Sequence, residues 1–135
     1  MITYAVEKNL DVEEFKSVLV RSTLGERRPV DDIERLSKMV TNANIIITAR
    51  ENGLLIGVSR AISDFAFCTY LSDLAVDVKY QKGGIGKELI RRTQQEAPQA
   101  KLILLAAPAA REYYPKIGMQ TFPYCFVIDD ASEIR

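Results

Sequence analysis

Residues 2–7 alternate Ile, Tyr and Val with Thr, Ala and Glu, the two-residue period of a half-buried strand. The period then lengthens. Over residues 12–22, Phe15, Val18 and Leu19 fall at helical steps, and Asn9 or Asp11 can cap the helix they predict. Gly25-Glu26-Arg27-Arg28-Pro29 breaks that pattern. Asp31 or Asp32 opens a second helix with Ile33, Leu36, Met39 and Val40 on one face, ending over 42–44. Residues 45–51 and 54–62 are two apolar runs joined by Asn52-Gly53, a pair that tolerates the positive φ of a two-residue hairpin turn.

After a connection over 64–67, residues 68–78 form the strand on which the rest is organised. Leu74, Val76 and Val78 alternate there with Ala75 and Asp77, which places the three larger residues on the inner face. Three glycines in four positions follow, Gly83, Gly84 and Gly86, and the chain turns helical. Ile85, Leu89, Ile90 and Thr93 share one face, while Lys87, Glu88, Arg91 and Arg92 lie off it. Ala97-Pro98 stops the helix, and residues 102–105 read as a buried strand. Strand, helix, strand is a crossover unit, so this strand should run parallel to 68–78. Residues 109–117 predict a short helix with Pro115 near its distorted end, closed by Gly118. A last hairpin is expected from 119–122 and 125–128 with Pro123 at the turn, and 129–135 should fray. The order is that of one α/β domain over 1–135: a mixed, mostly antiparallel sheet with a parallel central pair, flanked by helices.

Composition removes several chemistries. Eighteen basic and eighteen acidic side chains cancel, which argues against wholesale nucleic-acid binding but leaves room for a local basic patch. The chain has no histidine, so His-based metal sites and Ser-His or Cys-His nucleophile pairs are excluded. Cys68 and Cys125 are too few and too far apart for a disulfide framework or a zinc site, and no metal is expected. No cationic segment followed by an apolar run opens the chain, and no stretch approaches the roughly 20 apolar residues of a membrane helix. A cytoplasmic location with reduced thiols is the expectation.

The glycine loop is where chemistry concentrates. A glycine-rich entry to a helix leaves backbone N–H groups pointing outward with the helix dipole behind them, and the missing Cβ atoms let a phosphate approach. Lys82 and Lys87 add positive charge. The plainer reading is a flexible helix start. Two nucleotide motifs fail here. A Walker loop needs glycine five residues before its Gly-Lys pair and Ser or Thr after it, where Gln81 and Glu88 stand. The dinucleotide fingerprint needs a further glycine at Leu89.

Gln81-x-x-Gly84-x-Gly86 directly after a Val-rich strand resembles the acyl-coenzyme A pyrophosphate loop of the GNAT family of N-acetyltransferases. The resemblance extends to Tyr113-Tyr114-Pro115-Lys116-Ile117-Gly118-Met119, which is similar to the family's aromatic-Tyr-x-Lys-x-Gly-Phe run with Tyr114 in register with the functional tyrosine. Met119 replaces the usual Phe and Pro115 is uncommon inside the motif. Ala107 stands where many members carry an Asn that contacts the cofactor. The resemblance implies a GNAT-type acyl-CoA N-acyltransferase fold with acetyl-CoA as cosubstrate. It implies that backbone groups of Val76 and Val78 pair with the pantetheine arm. Gln81, Gly83, Gly84 and Gly86, with Lys82 and Lys87 nearby, would hold the pyrophosphate. Tyr114 would protonate the departing thiolate.

That chemistry needs a neutral amine, an aligned thioester, N–H groups for a developing oxyanion and a donor to the sulfur. A tyrosine hydroxyl, with an ordinary pKa of about 10, matches an alkyl thiolate without any histidine. Packing with a satisfied hydroxyl is the plainer role for Tyr114. Asp73, three residues before Val76, could deprotonate an ammonium directly or through water, or could instead pair with a neighbouring loop. Glu26, Arg27 and Arg28 fall in the segment that typically lines the acceptor in this family, and Phe65, Phe67 and Tyr70 could floor the pocket. The expected partner is a small-molecule primary amine, with no nucleic acid and no membrane, and a homodimer is compatible with the fold. Acetylation of a protein lysine or N-terminus, and non-catalytic sensing of acyl-CoA, are the alternatives.

Overall fold

The computed structural model describes residues 1–135, and the chain divides into two compact units, Met1–Leu105 and Ala106–Arg135. In the first unit a five-stranded sheet runs β1 (Ile2–Val6), β2 (Ile45–Glu51), β3 (Leu54–Ser63), β4 (Cys68–Val76) and β5 (Lys101–Leu104), in that spatial order. The first three pairings are antiparallel and β4–β5 is parallel. Asn52 and Gly53 take φ of 50° and 86°, the left-handed turn that joins β2 to β3.

Helices α1 (Val12–Arg21) and α2 (Ile33–Asn42) begin where a carboxylate accepts a first-turn N–H. Asp11 accepts from Glu14, and Asp32 from Arg35. Their apolar stripes, Phe15, Val18 and Leu19 with Leu36 and Val40, close on Ile46, Leu55, Val58 and Ala75 of the sheet. Each Val, Leu, Ile or Phe among them contributes about 1.5–3 kcal/mol by leaving water. Arg50 ties three elements at the rim, bonding Glu7 beyond β1 and Glu14 of α1.

Helix α3 (Ile85–Glu96) covers the other face. Its buried residues are Ile85, Leu89, Ile90 and Thr93, as its periodicity predicts. A Cβ at Gly57 would lie 3.2 Å from Ile85 Cγ2 and 3.2 Å from Leu89 Cδ1, so glycine on β3 sets how closely the start of α3 seats. Ser59 and Thr93 hydroxyls meet at 2.5 Å across the same contact.

Two sequence readings change in β4. It ends at Val76, and Val78 belongs to a 3-10 turn (Val78–Tyr80). Its buried residues are Thr69, Leu71, Asp73 and Ala75, with Leu74 and Val76 half-buried, the reverse of the expected phase. A β-bulge interrupts the ladder with β3: Arg60 opposes Asp73 while Ala61 opposes Leu71, so Ser72 is the extra residue.

In the second unit a 3-10 turn (Pro108–Ala110) precedes the single-turn helix α4 (Tyr113–Lys116), in place of one helix over 109–117. Gly118 closes α4 at φ 103°. The expected hairpin does not form. A turn at Pro123 is present, with the Cys125 N–H reaching the Phe122 carbonyl, but 119–128 carry no ladder. All residues from Gln120 onward are exposed, so no buried face fixes a register. Cys68 and Cys125 are exposed free thiols. No helix is long and apolar enough to cross a membrane.

Candidate active site

β5 pairs with β4 only as far as Leu71↔Leu104. From Ser72 to Val76 that edge of β4 is open. The Asp77 N–H bonds the Ile56 carbonyl on the β3 side, so the neighbouring Val76 directs its backbone groups the other way, as does Leu74 two residues earlier. Gln81 shows that this direction is accessible: its side-chain amide donates to the Val76 carbonyl at 2.9 Å. Leu74 and Val76 therefore present the open edge, whereas Val78 has turned out of the strand.

Asp77 fixes the exit from β4. Its carboxylate accepts the Lys79 N–H at 2.9 Å and the Arg21 guanidinium at 2.5 Å, and Arg21 also holds the Leu55 carbonyl at 2.7 Å. Burial works to raise the Asp77 pKa, but these hydrogen bonds outweigh it and hold the carboxyl below its ordinary range. The chain then reaches the glycine loop. Lys82 (φ 69°) and Gly84 (φ 85°) both take the left-handed conformation, and Gly84 caps α3. A Cβ at Gly84 would meet nothing within 4 Å, so the space above the helix start is open.

The first-turn N–H groups of Ile85, Gly86 and Lys87 have no carbonyl one turn back and project into that space. Lys82 and Lys87 are exposed, and neither pairs with a carboxylate of the chain. Glu88, by contrast, is committed to Arg91 and Arg92, hydrogen bonds that hold its pKa below the usual value. The loop thus offers helix-end donors and unneutralised positive charge together, which suits a pyrophosphate.

At the other end of the open edge, the bulge turns Ser72 and Asp73 to one side, where Arg60 reaches both. Its Nε bonds Asp73 and its Nη2 bonds Ser72 Oγ at 3.0 Å. Arg28, from the segment after α1, bonds the second Asp73 oxygen and the Ser72 carbonyl, the latter at 2.8 Å. Asp73 is 0% exposed. Both oxygens are engaged, so the pairing with a neighbouring loop that the sequence allowed is present. The signal for it was Arg60, a charge inside an apolar run that cannot be buried without a partner. Of the aromatic candidates, Phe67 is 80% and Phe65 43% exposed at the β3–β4 hairpin, while Tyr70 is half-buried.

In the second unit Tyr114 is half-buried on α4 with its ring edge-on to Tyr113, centroids 5.2 Å apart. Burial raises its pKa above the ordinary tyrosine value, and Tyr113 adds to the rise. The hydroxyl is therefore kept protonated.

The profile of the acetyltransferase (GNAT) domain matches residues 7–122, across both units. The chain belongs to the GNAT acetyltransferase family. A histone acetyltransferase from Glycine max is 37% identical over 76 residues, 54% of this chain and 33% of that protein. The chain spans about a third of the length of the first curated relatives it matches. A GNAT-family acetyltransferase from Streptococcus pneumoniae shares the fold at a TM-score of 0.78 and 18% identity, covering 96% of this chain and all (100%) of that one. A predicted acetyltransferase from Clostridium acetobutylicum, solved with acetyl-CoA, superposes at 0.72 with 20% identity, covering 96% of each chain. The open edge of β4 and the glycine-capped α3 are thus features of a family member.

Proposed function

We propose that the protein transfers the acetyl group of acetyl-CoA directly to a primary amine of a small molecule, as one catalytic domain over 1–135. The observation that carries this reading is the continuous path from the open β4 edge into the glycine loop, where unpaired N–H groups and unpaired lysines coincide. The acetyl-CoA bound to the Clostridium acetobutylicum protein supports the cosubstrate.

Acetyl-CoA, when bound, supplies an acyl group already activated as a thioester. The residues of this chain do the rest. Leu74 and Val76 offer backbone groups to an extended amide chain, as an added strand would use them. The Gln81 amide, now on the Val76 carbonyl, must release it for such a chain and becomes free to bind the incoming ligand. The N–H groups of the helix start, with Gly83, Gly84 and Gly86 leaving the approach clear, hold the diphosphate, and Lys82 and Lys87 balance its charge. Tyr114 donates a proton to the leaving sulfur, and the proton given up by the attacking nitrogen passes through solvent to restore the Tyr114 hydroxyl; burial suits it to the task by holding the hydroxyl neutral. Asp73 acts as a staple of the bulge and not as the base.

Acetyl-CoA turnover with a mixed panel of small amines and lysine peptides tests the proposal. Small amines should be acetylated and release free thiol stoichiometrically. Preferential acetylation of the peptides would favour the protein-acceptor reading that the Glycine max histone acetyltransferase suggests. Binding of acetyl-CoA without turnover of any amine would point to a sensor.

A further inference from the structure

The charge at the bulge does not balance. Two guanidinium groups, Arg28 and Arg60, face one carboxylate, Asp73, so the cluster keeps one net positive charge. Arg60 is buried, with a side-chain exposure of 7%, and uses three donors: Nε to Asp73, Nη1 to the Met39 carbonyl and Nη2 to Ser72 Oγ. Arg28 is different. Its side chain is 22% exposed and it uses three donors: Nε to Asp73, Nη1 to the Arg27 carbonyl and Nη2 to the Ser72 carbonyl. A guanidinium carries five N–H groups, so one hydrogen on each terminal nitrogen is left over. The adjacent Glu26 and Arg27 are exposed and offset one another.

This half-exposed, pre-oriented fork sits where β5 parts from β4 and the open edge begins. A fixed guanidinium with two spare donors is a receptor for a carboxylate or phosphate. The same surplus charge repels polycations. We infer that Arg28 is a specificity-determining residue that selects an amine acceptor bearing an anionic group, such as an amino acid or an aminoalkyl phosphate. This inference rests on the proposed acetyl transfer and narrows its acceptor class.

The test compares matched acceptors on the whole protein with acetyl-CoA: L-amino acids against their amides, phosphoethanolamine against ethanolamine, and spermidine as a polycation. The anionic member of each pair should show a kcat/KM higher by roughly tenfold or more, the factor one charge-assisted hydrogen bond supplies. Arg28→Gln should bring that ratio close to one with the KM for acetyl-CoA unchanged, and Arg28→Lys should restore part of it. The substitution leaves Asp73 still paired with Arg60, so the buried carboxylate keeps a cation. A wild-type preference for amides, ethanolamine or spermidine would overturn the inference, as would an Arg28→Gln variant that lowers all acceptors equally. If no amine turns over, the acetyl-transfer reading fails by itself. Thermal shift with phosphoethanolamine and L-amino acids then decides the Arg28 site: stabilisation lost in Arg28→Gln sustains it, and no stabilisation of the wild type overturns it.

Discussion

Asp73→Asn separates a staple from a base. The carboxylate is fully buried between Arg28 and Arg60, and Arg60 is itself almost without solvent. Asparagine keeps the volume but removes the charge, and one of its two polar ends is an NH2 that meets a guanidinium donor to donor. Breaking a buried pair by deleting one partner costs about 3–5 kcal/mol, because the remaining cation is left uncompensated. Arg28 can lean on solvent at 22% exposure, so the lower end, about 3 kcal/mol, applies. Against a typical stability of about 5–15 kcal/mol this is a large fraction, and it corresponds to a fall in Tm of about 10 °C. Urea denaturation of wild type and variant measures it. Adding Arg60→Met to Asp73→Asn should recover part of the loss, since the double variant no longer buries an unpaired charge. A base would behave otherwise: Asp73→Asn would leave the urea midpoint in place and lower kcat alone. A midpoint shift worth less than about 1 kcal/mol, with no recovery in the double variant, would refute the staple.

Two further substitutions probe the cofactor and proton-donor roles. Gly84→Val should abolish the acetyl-CoA-induced rise in Tm by blocking the helix-end N–H groups. Gly53→Val is its control for backbone strain, because Gly53 has the same left-handed φ (86° against 85°) and equally open surroundings. A full cofactor-induced shift in folded Gly84→Val would remove the loop assignment. Tyr114→Phe keeps the ring contact but deletes the proton, so kcat should drop by ~10²–10⁴ with acetyl-CoA affinity nearly unchanged. Because burial raises the Tyr114 pKa, the alkaline decline of the wild-type rate should lie at higher pH than the ionisation of an ordinary tyrosine. That limb should flatten in Tyr114→Phe, and Tyr113→Phe should move it to lower pH by removing one of the causes of the rise. Equal, small effects from both variants would make Tyr114 a packing residue.

Elements that carry their own signal were legible in the sequence. The helices over Val12–Arg21 and Ile33–Asn42 combine a capping aspartate with an apolar stripe, the Asn52-Gly53 turn requires positive φ, and the buried face of Ile85–Glu96 follows from period alone. The crossover from β4 to β5 was fixed as parallel by its connection. The glycine loop and Tyr114 were visible as motifs for a related reason: backbone access and a hydroxyl at a fixed helical position are local properties. Tertiary structure decided what depends on a neighbour. The bulge at Ser72 arises only when β4 is laid against β3, where Arg60 comes to oppose Asp73 and Ala61 to oppose Leu71. The pairing of Asp73 depended on Arg28 and Arg60, 45 and 13 residues away in sequence, arriving on its two oxygens. The hairpin expected over 119–128 failed in the opposite direction. Its residues have strand character, but a strand is stabilised by a partner edge and a buried face, and neither is supplied by the segment itself.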